Sequence, residues 1–356
     1  TARLRATLQY MLAALVTTGR AAAVSTALHT KPLLLDVPAP AGFSWGGTFT
    51  FDEAGTAFRT ATASAIDELD IGPRVGLGTQ SEVRRGHLPG HAEPVAVKIG
   101  LKVGAIAREA EVLSAMSGVP GFPRLLHHEA EGEGTPGGAL LLTLLGPSLD
   151  DLRRRESGPL TGELLRHVGG CLLGLLRRLH AAGFVHNDVK PSNVLLSAGA
   201  AELHPASELH LIDFGSCTRE PASAADGGAA GREAPPPAAG PAGSLLFASL
   251  AADESRATRP SDDVESLLYT LAYLAAGSLP WQGEDADAVA SAKRELLVEG
   301  VGAVAALTDG VECPAAAAAL RALHAEVVRA SRVLGAVDYA TCLAALEAGQ
   351  EASGLR

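Results

Sequence analysis

The sequence has little of what marks disulfide-rich, membrane-spanning or repeat proteins. Its four cysteines are Cys171, Cys217, Cys313 and Cys342, and their spacing does not suit a metal site. We therefore expect reduced, mostly buried thiols in a reducing compartment. The apolar stretch at residues 10–16 is too short to span a membrane, and no internal repeat is present. The formal net charge of -11 argues against nucleic acid as the main partner and favours basic or neutral substrates.

Acidic residues are missing before Asp36, whereas the same segment contains Arg3, Arg5, Arg20 and Lys31 among many Ser, Thr and Ala. This composition is typical of an organelle transit peptide, and a disordered extension or a truncated upstream segment is the alternative. The chain does not begin with Met, which is consistent with a fragment. We expect a cytoplasmic or nuclear protein, or a plastid or mitochondrial one if the segment is a transit peptide.

A polar motif near the middle of the chain carries the strongest chemical signal. Residues 186–193 read His-Asn-Asp-Val-Lys-Pro-Ser-Asn, and Asp-Phe-Gly follows at 213–215. Phosphoryl transfer requires a carboxylate near the attacking hydroxyl and oxygen ligands for Mg²⁺. Asp188 fits the first requirement, and Asn193 and Asp213 fit the second. Apolar runs directly after Asn193 and before Asp213 make a chance polar loop a poor alternative.

The upstream half of such a site is also present. Residues 76–83 read Gly-Leu-Gly-Thr-Gln-Ser-Glu-Val, a small-residue segment whose backbone N–H groups can lie close to ATP phosphates. Ser81 replaces the third glycine of such a loop, and taken alone the segment fits a plain hairpin turn equally well. Residues 95–98, Val-Ala-Val-Lys, predict a short strand ending in Lys98, the candidate contact for the α- and β-phosphates.

A helix predicted at residues 105–116 carries two candidate partners for Lys98. These are Glu109 and Glu111. Counting back from Gly-Phe-Pro at 121–123 favours Glu109, which leaves Glu111 as the solvated alternative.

Three further stretches resemble the casein kinase 1 family of Ser/Thr protein kinases. They are residues 144–152 (Leu-Leu-Gly-Pro-Ser-Leu-Asp-Asp-Leu), residues 243–267 with Phe-Ala-Ser at 247–249, and residues 277–283 (Gly-Ser-Leu-Pro-Trp-Gln-Gly). The resemblance covers roughly residues 68–348. It implies an α+β, bilobal protein kinase fold with a β-rich N-lobe, a mainly α-helical C-lobe and ATP in the cleft between the lobes.

The resemblance also implies roles for the motif residues. Asp188 becomes the catalytic base, Lys190 a contact for the transferring phosphate, and Asn193 and Asp213 the Mg²⁺ ligands. Asp263, near the start of a helix predicted at residues 262–276, matches the buried aspartate that braces the catalytic-loop backbone in kinases. The same residue can also be interpreted as a carboxylate that the helix dipole stabilises at the N-terminus of the helix, and the two interpretations are compatible.

On the nucleotide side, Leu142 is implied as the gatekeeper behind the adenine, and residues 143–145 as the hinge. The expected cofactors are ATP and Mg²⁺. The expected nucleotide-binding residues are Gly76, Gly78, Val83, Lys98, Glu109, Thr143, Leu145, Asn193 and Asp213.

Two departures from the family pattern bear on regulation. Asn187 stands where most relatives carry an arginine that pairs with a phosphorylated activation loop, so activation should not require loop phosphorylation. Leu246 stands where casein kinase 1 members carry an arginine that helps to bind an anion near the substrate. The use of already phosphorylated substrates is therefore in doubt.

We divide the chain into an N-terminal extension (1–65), a kinase N-lobe (66–145, hinge at 143–145), a C-lobe (146–348) and a tail (349–356). Residues 219–243, rich in Ala, Gly and Pro, are interpreted as a mobile loop, with an interaction tether or a substrate-side lid as the alternative. Helical spacing of leucines predicts a long amphipathic helix at residues 164–179 that ends at Gly183. We expect a monomer.

Three hypotheses follow for the function. The leading one is an ATP-dependent protein kinase that phosphorylates Ser and Thr of protein substrates. The alternative is a pseudokinase that acts as an ATP-binding scaffold, suggested by Ser81, Asn187 and the insertion. A small-molecule kinase is disfavoured by the casein kinase strings at 144–152 and 277–283.

Overall fold

The computed structural model describes residues 43–45, 49–51, 57–59, 69–78, 80–87, 92–131, 137–155, 158–220, 242–298, 303–332 and 337–348. The proposed transit segment, Thr79, nearly all of the 219–243 insertion and the 349–356 tail lie outside the described residues. The chain divides into two compact units: Thr1–Ser114 with Arg124–Leu144, and Ala115–Pro123 with Leu145–Arg356.

The first unit is built on an eight-stranded antiparallel sheet. Its strands are β1 (Phe43–Trp45), β2 (Phe49–Phe51), β3 (Ala57–Arg59), β4 (Leu69–Leu77), β5 (Ser81–His87), β6 (Val95–Gly100), β7 (Leu125–Glu129) and β8 (Ala139–Thr143). They lie in the order β1-β2-β3-β4-β5-β6-β8-β7, so β8 inserts between β6 and β7. All residues of β6 are buried, including Lys98. Helix α1 (Ala107–Ala115) follows β6.

The second unit is mainly helical. Its helices are α2 (Leu149–Arg155), α3 (Gly162–Ala181), α4 (Ala242–Phe247), α5 (Leu250–Asp253), α6 (Pro260–Ala276), α7 (Ala286–Val298), α8 (Ala303–Thr308), α9 (Pro314–Arg332) and α10 (Tyr339–Ala348). Helix α3 packs against α6, α9 and α10. At the predicted spacing, Leu165, Leu172 and Leu179 are buried, whereas Leu164 is partly exposed. This confirms the helix predicted from the leucine pattern.

Local sequence explains where the two central helices begin and end. Thr161 caps α3 by accepting a hydrogen bond from the Leu164 amide at 3.4 Å, and Gly183 follows the helix with a φ of 81°. Helix α6 starts two residues before the predicted Asp262, because Pro260 fits the first helical turn and Asp262 accepts from the Arg259 amide at 2.7 Å. Gly277 ends α6 with a φ of 87°.

Two short antiparallel ladders lie on either side of the catalytic motif. Strand β9 (Phe184–Val185) pairs with β12 (Thr218–Arg219), and β10 (Val194–Leu196) pairs with β11 (Leu209–Leu211). In each ladder, one strand lies next to the 186–193 motif in the sequence and the other lies next to the Asp-Phe-Gly segment. The two parts of the sequence motif are thus held side by side by main-chain hydrogen bonds.

Two predictions from the composition concern the cysteines and membrane-spanning helices. All four cysteines are free; Cys217 and Cys342 are buried, whereas Cys171 and Cys313 are partly exposed. Among the described residues, no helix is both long and apolar enough to span a bilayer.

Candidate active site

The buried lysine of the sheet forms the expected ion pair. Lys98 Nζ in β6 donates to Glu109 Oε2 of α1, and the two side chains are 9% and 3% exposed. Glu111 instead pairs with Arg108 on the surface of the same helix, at 2.5 Å. The choice of Glu109 over Glu111 is therefore correct. The pair fixes the lysine ammonium at a defined place in the first unit.

The glycine-rich segment forms the hairpin between β4 and β5. The Gly78 amide donates to the Ser81 carbonyl at 2.8 Å, and Gly76 lies opposite Val83 in the strand register. Glu82 is fully buried and pairs with Arg84, but its Oε2 has no hydrogen-bond partner among the described residues. No pattern in the sequence indicated that this glutamate would be buried.

The predicted hinge residues lie at the division of the chain into its two units. Thr143 ends β8; its amide donates to the Arg124 carbonyl and its hydroxyl accepts from the Arg124 amide, both at 3.1 Å. Leu145 is the first residue of the segment that continues into the second unit. Leu142 is buried in β8. Their contacts with a nucleotide remain a prediction.

Asp188 lies in the catalytic loop with two donors directed at one of its oxygens. Lys190 Nζ donates to Asp188 Oδ2 at 2.6 Å, and Asn193 Nδ2 donates to the same oxygen at 2.9 Å. Asn193 Nδ2 also donates to the Asp188 carbonyl oxygen at 2.8 Å. The three residues that the motif singled out in the loop are therefore in direct contact.

The surroundings of Asp188 shift its pKa upward. Burial is the largest cause, and the nearby charge of Asp213 raises the pKa further. Lys190 acts in the opposite direction, because its charge and its hydrogen bond favour the carboxylate. A carboxyl group with a raised pKa is a better proton acceptor than an exposed aspartate, which suits the role of a general base.

The backbone of the catalytic loop is fixed by Asp263 from α6. Asp263 Oδ2 accepts from the His186 amide at 2.7 Å, and its Oδ1 accepts from the Asn187 amide at 2.8 Å. The carboxyl group is fully buried. Burial raises its pKa, but the hydrogen bonds from His180 and from the His186 amide hold the pKa below its usual value. Asp263 thus braces the loop as the resemblance implies.

His186 connects the loop to the Asp-Phe-Gly segment. Its Nδ1 accepts from the Asp188 amide at 3.2 Å, so the opposite ring nitrogen, Nε2, donates to the Ile212 carbonyl at 3.1 Å. The ring also packs edge-on against Phe214, with centroids 5.3 Å apart. Asp213, between these two contacts, has a φ of 65°, a left-handed conformation that aspartate tolerates better than most residues.

Asn193 and Asp213 offer suitable atoms for Mg²⁺. Because Nδ2 of Asn193 donates to Asp188, the amide oxygen is the atom left to bind a cation. Asp213 supplies a carboxylate near enough to Asp188 for its charge to act on that group. One or two protein oxygens completed by phosphates and water is the usual Mg²⁺ coordination, so these residues fit the metal.

Asn187 takes part in the site in a way the sequence did not reveal. Its Nδ2 donates to the Ser216 carbonyl at 2.9 Å and to Thr218 Oγ1 at 3.0 Å. The backbone has a φ of 67°, which asparagine adopts more readily than most residues. A neutral amide therefore links the catalytic loop to the segment after the Asp-Phe-Gly.

A buried lysine that sequence reasoning missed organises the segment from α4 to α5. Lys293 of α7 has a fully buried side chain, and its Nζ donates at 2.7 Å to the Leu245 carbonyl, the Ala248 carbonyl and Asp253 Oδ2. Tyr269 and Trp281 place their rings 5.5 Å and 5.7 Å from the same nitrogen. Burial lowers the pKa of Lys293, and Asp253 opposes this shift.

Glu265 of α6 is a buried acid beside this lysine. Its Oε1 accepts from the Leu250 amide at 2.6 Å and from the Tyr269 hydroxyl at 2.9 Å. Burial raises its pKa to about 8, and the charge of Asp262 adds to the shift, whereas Lys293 lowers the pKa. The folded protein therefore binds a proton at Glu265 that the unfolded chain releases near its ordinary pKa of 4.5.

We expect the stability of the Glu265→Gln variant, relative to that of the wild type, to increase as pH rises. Between about pH 5 and about pH 7, wild-type stability should fall relative to the variant by up to about 1.4 kcal/mol per pH unit, since only the wild type takes up a proton at position 265 on folding. Urea unfolding at several pH values measures the difference. Glu254→Gln is the control, because Glu254 lies on the surface and its pKa is lowered. Parallel curves for wild type and Glu265→Gln would contradict the assignment.

The fold and the catalytic loop together define the class of this protein. The family model described as "Protein kinase domain" matches residues 69–301, and the chain belongs to that family. A casein kinase 1-like protein, HD16 of Oryza sativa subsp. japonica, is 33% identical over 183 residues, which are 50% of this chain and 24% of that protein. The chain thus matches about a quarter of the length of this relative. The resemblance to casein kinase 1-like kinases is confirmed.

Proposed function

We propose that the protein is an ATP-dependent Ser/Thr protein kinase of casein kinase 1 type. The observation that carries the proposal is the catalytic loop, in which Lys190 and Asn193 hold Asp188 while Asp263 fixes the backbone. The Lys98–Glu109 pair supports it from the first unit. Each residue type that phosphoryl transfer requires is present in the sequence.

The proposed chemistry assigns one task to each side chain. The substrate hydroxyl oxygen attacks the γ-phosphorus of ATP, the bond between the β,γ-bridging oxygen and the γ-phosphorus breaks, and ADP departs with the bonding electron pair. Asp188 accepts the hydroxyl proton, and Lys190 stabilises charge on the transferring group. Lys98 contacts the α- and β-phosphates. Asn193 and Asp213 would hold Mg²⁺, which would supply electrostatic stabilisation of the phosphates.

The pseudokinase scaffold is the alternative function. Ser81 and Asn187 depart from the usual kinase pattern, but neither is a group that performs the transfer. Pseudokinases usually lose the lysine, the base or the metal-binding aspartate, whereas Lys98, Asp188 and Asp213 are all present here. The complete set favours activity.

Transfer of labelled γ-phosphate from Mg-ATP to casein by the full chain tests the proposal. Phosphoamino-acid analysis of the product should find phosphoserine or phosphothreonine. ATP binding without any transfer, to casein and to a Ser/Thr peptide library alike, would instead support the scaffold.

Activity should be independent of loop phosphorylation. Asn187 binds Ser216 and Thr218 through neutral hydrogen bonds and has no charge with which to pair a phosphate. Phosphatase treatment, followed by removal of the phosphatase, should leave the initial rate of casein phosphorylation unchanged. Mass spectrometry of the treated chain verifies that phosphate has been removed. A large loss of rate that re-incubation with ATP restores would contradict this expectation.

A further inference from the structure

A line of hydrogen bonds joins the last helix of the second unit to the catalytic loop. The Tyr339 hydroxyl, at the start of α10, contacts Nδ1 of His180 near the end of α3. His180 Nε2 lies 2.7 Å from Asp263 Oδ2. Asp263 in turn accepts the amides of His186 and Asn187, the two residues that precede Asp188.

The direction of each hydrogen bond follows from the groups involved. Asp263 has its pKa lowered and accepts the two loop amides as a carboxylate, so His180 must donate to it from Nε2. A neutral imidazole that carries its proton on Nε2 has a lone pair on Nδ1. The Tyr339 hydroxyl is then the donor to Nδ1. Burial raises the pKa of Tyr339, which keeps this hydroxyl protonated.

The placement of Tyr339 is determined by its own helix. Asp338 caps α10: its Oδ1 accepts from the Ala340 and Thr341 amides at 3.1 Å, and its Oδ2 accepts from the Thr341 hydroxyl at 2.7 Å. Helix α10 packs against both α3 and α9. The phenol ring lies 6.0 Å from the imidazole, centroid to centroid, and His180 is buried.

We propose that Tyr339 is a positioning residue, whose hydroxyl holds the imidazole ring of His180 so that its Nε2–H stays directed at Asp263 and Asp263 keeps the catalytic-loop amides in place. The expected effect on catalysis rests on the proposed kinase function, whereas the hydrogen-bond geometry does not. Without the Tyr339 hydroxyl, Nδ1 loses its partner and the ring can turn about its bond to the side chain. The Nε2–H is then less well aligned with Asp263.

The Tyr339→Phe variant tests the proposal because it removes the hydroxyl and keeps the ring. In the full chain labelled with ¹⁵N-histidine, wild-type His180 should show a protonated Nε2 and an unprotonated Nδ1. In the variant the Nε2–H proton signal should move upfield and exchange faster with water, because its hydrogen bond to Asp263 is weaker. His180→Gln identifies the signal among the 11 histidines. A wild-type His180 protonated on Nδ1, or an Nε2–H signal with the same shift and exchange rate in the variant, would overturn the proposal.

Kinetics supplies the second readout. Tyr339→Phe should lower kcat for casein about fivefold, as expected for one lost hydrogen bond, and leave the KM for ATP unchanged. Tyr273→Phe is the matched control, since its hydroxyl binds Arg153 at 2.5 Å and lies outside this network. An unchanged kcat in Tyr339→Phe, or an equal loss in Tyr273→Phe, counts against the proposal.

A double variant separates positioning from simple packing. In His180→Gln the amide N–H can donate to Asp263 whatever stands at position 339, so adding Tyr339→Phe should cause no further loss of kcat. The same fivefold loss in both backgrounds would show that the hydroxyl acts independently of His180. If the unmodified chain transfers no phosphate, the proposed function fails, and the NMR comparison alone decides the role of Tyr339.

Discussion

Asp188→Asn should abolish phosphoryl transfer while leaving the fold and ATP binding intact. Asparagine has the same shape and can still accept from Lys190 through its oxygen, but it cannot take up the proton of the substrate hydroxyl. We expect kcat to fall by about 10²–10⁴-fold. Equilibrium binding of a fluorescent ATP analogue should change little, because the assigned phosphate and metal contacts come from Lys98, Asn193 and Asp213.

Asp150→Asn serves as the matched control for this substitution. Asp150 lies in α2, and its carboxylate pairs at 2.5 Å with Arg154, four residues further along the same helix. Its kinetics should equal those of the wild type. If Asp188→Asn kept more than a tenth of wild-type kcat, Asp188 would not be the base.

Lys293→Met should cause the largest loss of stability. Methionine fills much of the same volume, but three oxygens lose their donor: the carbonyls of Leu245 and Ala248 and the carboxylate of Asp253. Removing one partner of a buried ion pair costs about 3–5 kcal/mol, because the other charge remains buried without compensation. We expect a correspondingly lower urea midpoint for unfolding of the second unit.

The fluorescence of Trp281 measures this change, since the indole is buried and donates to the Leu246 carbonyl at 3.0 Å. Arg294→Met is the control. Arg294 is the next residue of α7, half exposed and paired with Glu254 at 2.6 Å, so its loss should cost at most about 1 kcal/mol. Equal midpoints for Lys293→Met and the wild type would show that the three contacts add no net stability.

Lys293 also holds a segment whose structure was difficult to predict from the sequence. The segment from α4 to α5 follows the 219–243 insertion and contains Leu246, at the position where the resemblance places a substrate-side arginine. In the sequence, Phe-Ala-Ser at 247–249 showed only a resemblance to the casein kinase 1 family. It gave no indication that a lysine some 45 residues later supplies the hydrogen bonds that hold this segment.

Much of the fold and of the catalytic loop could be predicted because the signals are local. The leucine spacing that gives α3 recurs within a few turns, and the Val-Ala-Val-Lys alternation identifies β6 without reference to other strands. Asp188, Lys190 and Asn193 lie within one short loop, where their contacts follow largely from their spacing. The Lys98–Glu109 pair spans only 11 residues, and the one ambiguity was a choice between two glutamates on the same helix.

The amino-acid sequence by itself determined the chemistry of this protein: which carboxylate, lysine and amide groups are available, and in which order. Only the tertiary structure decided how those groups are held. The contacts from His180 to Asp263 and from His180 to Tyr339 join residues 83 and 159 positions apart. Such pairs arise when helices pack, because a hydrogen bond over a large sequence separation depends on the packing of whole elements and leaves no periodic trace in the chain.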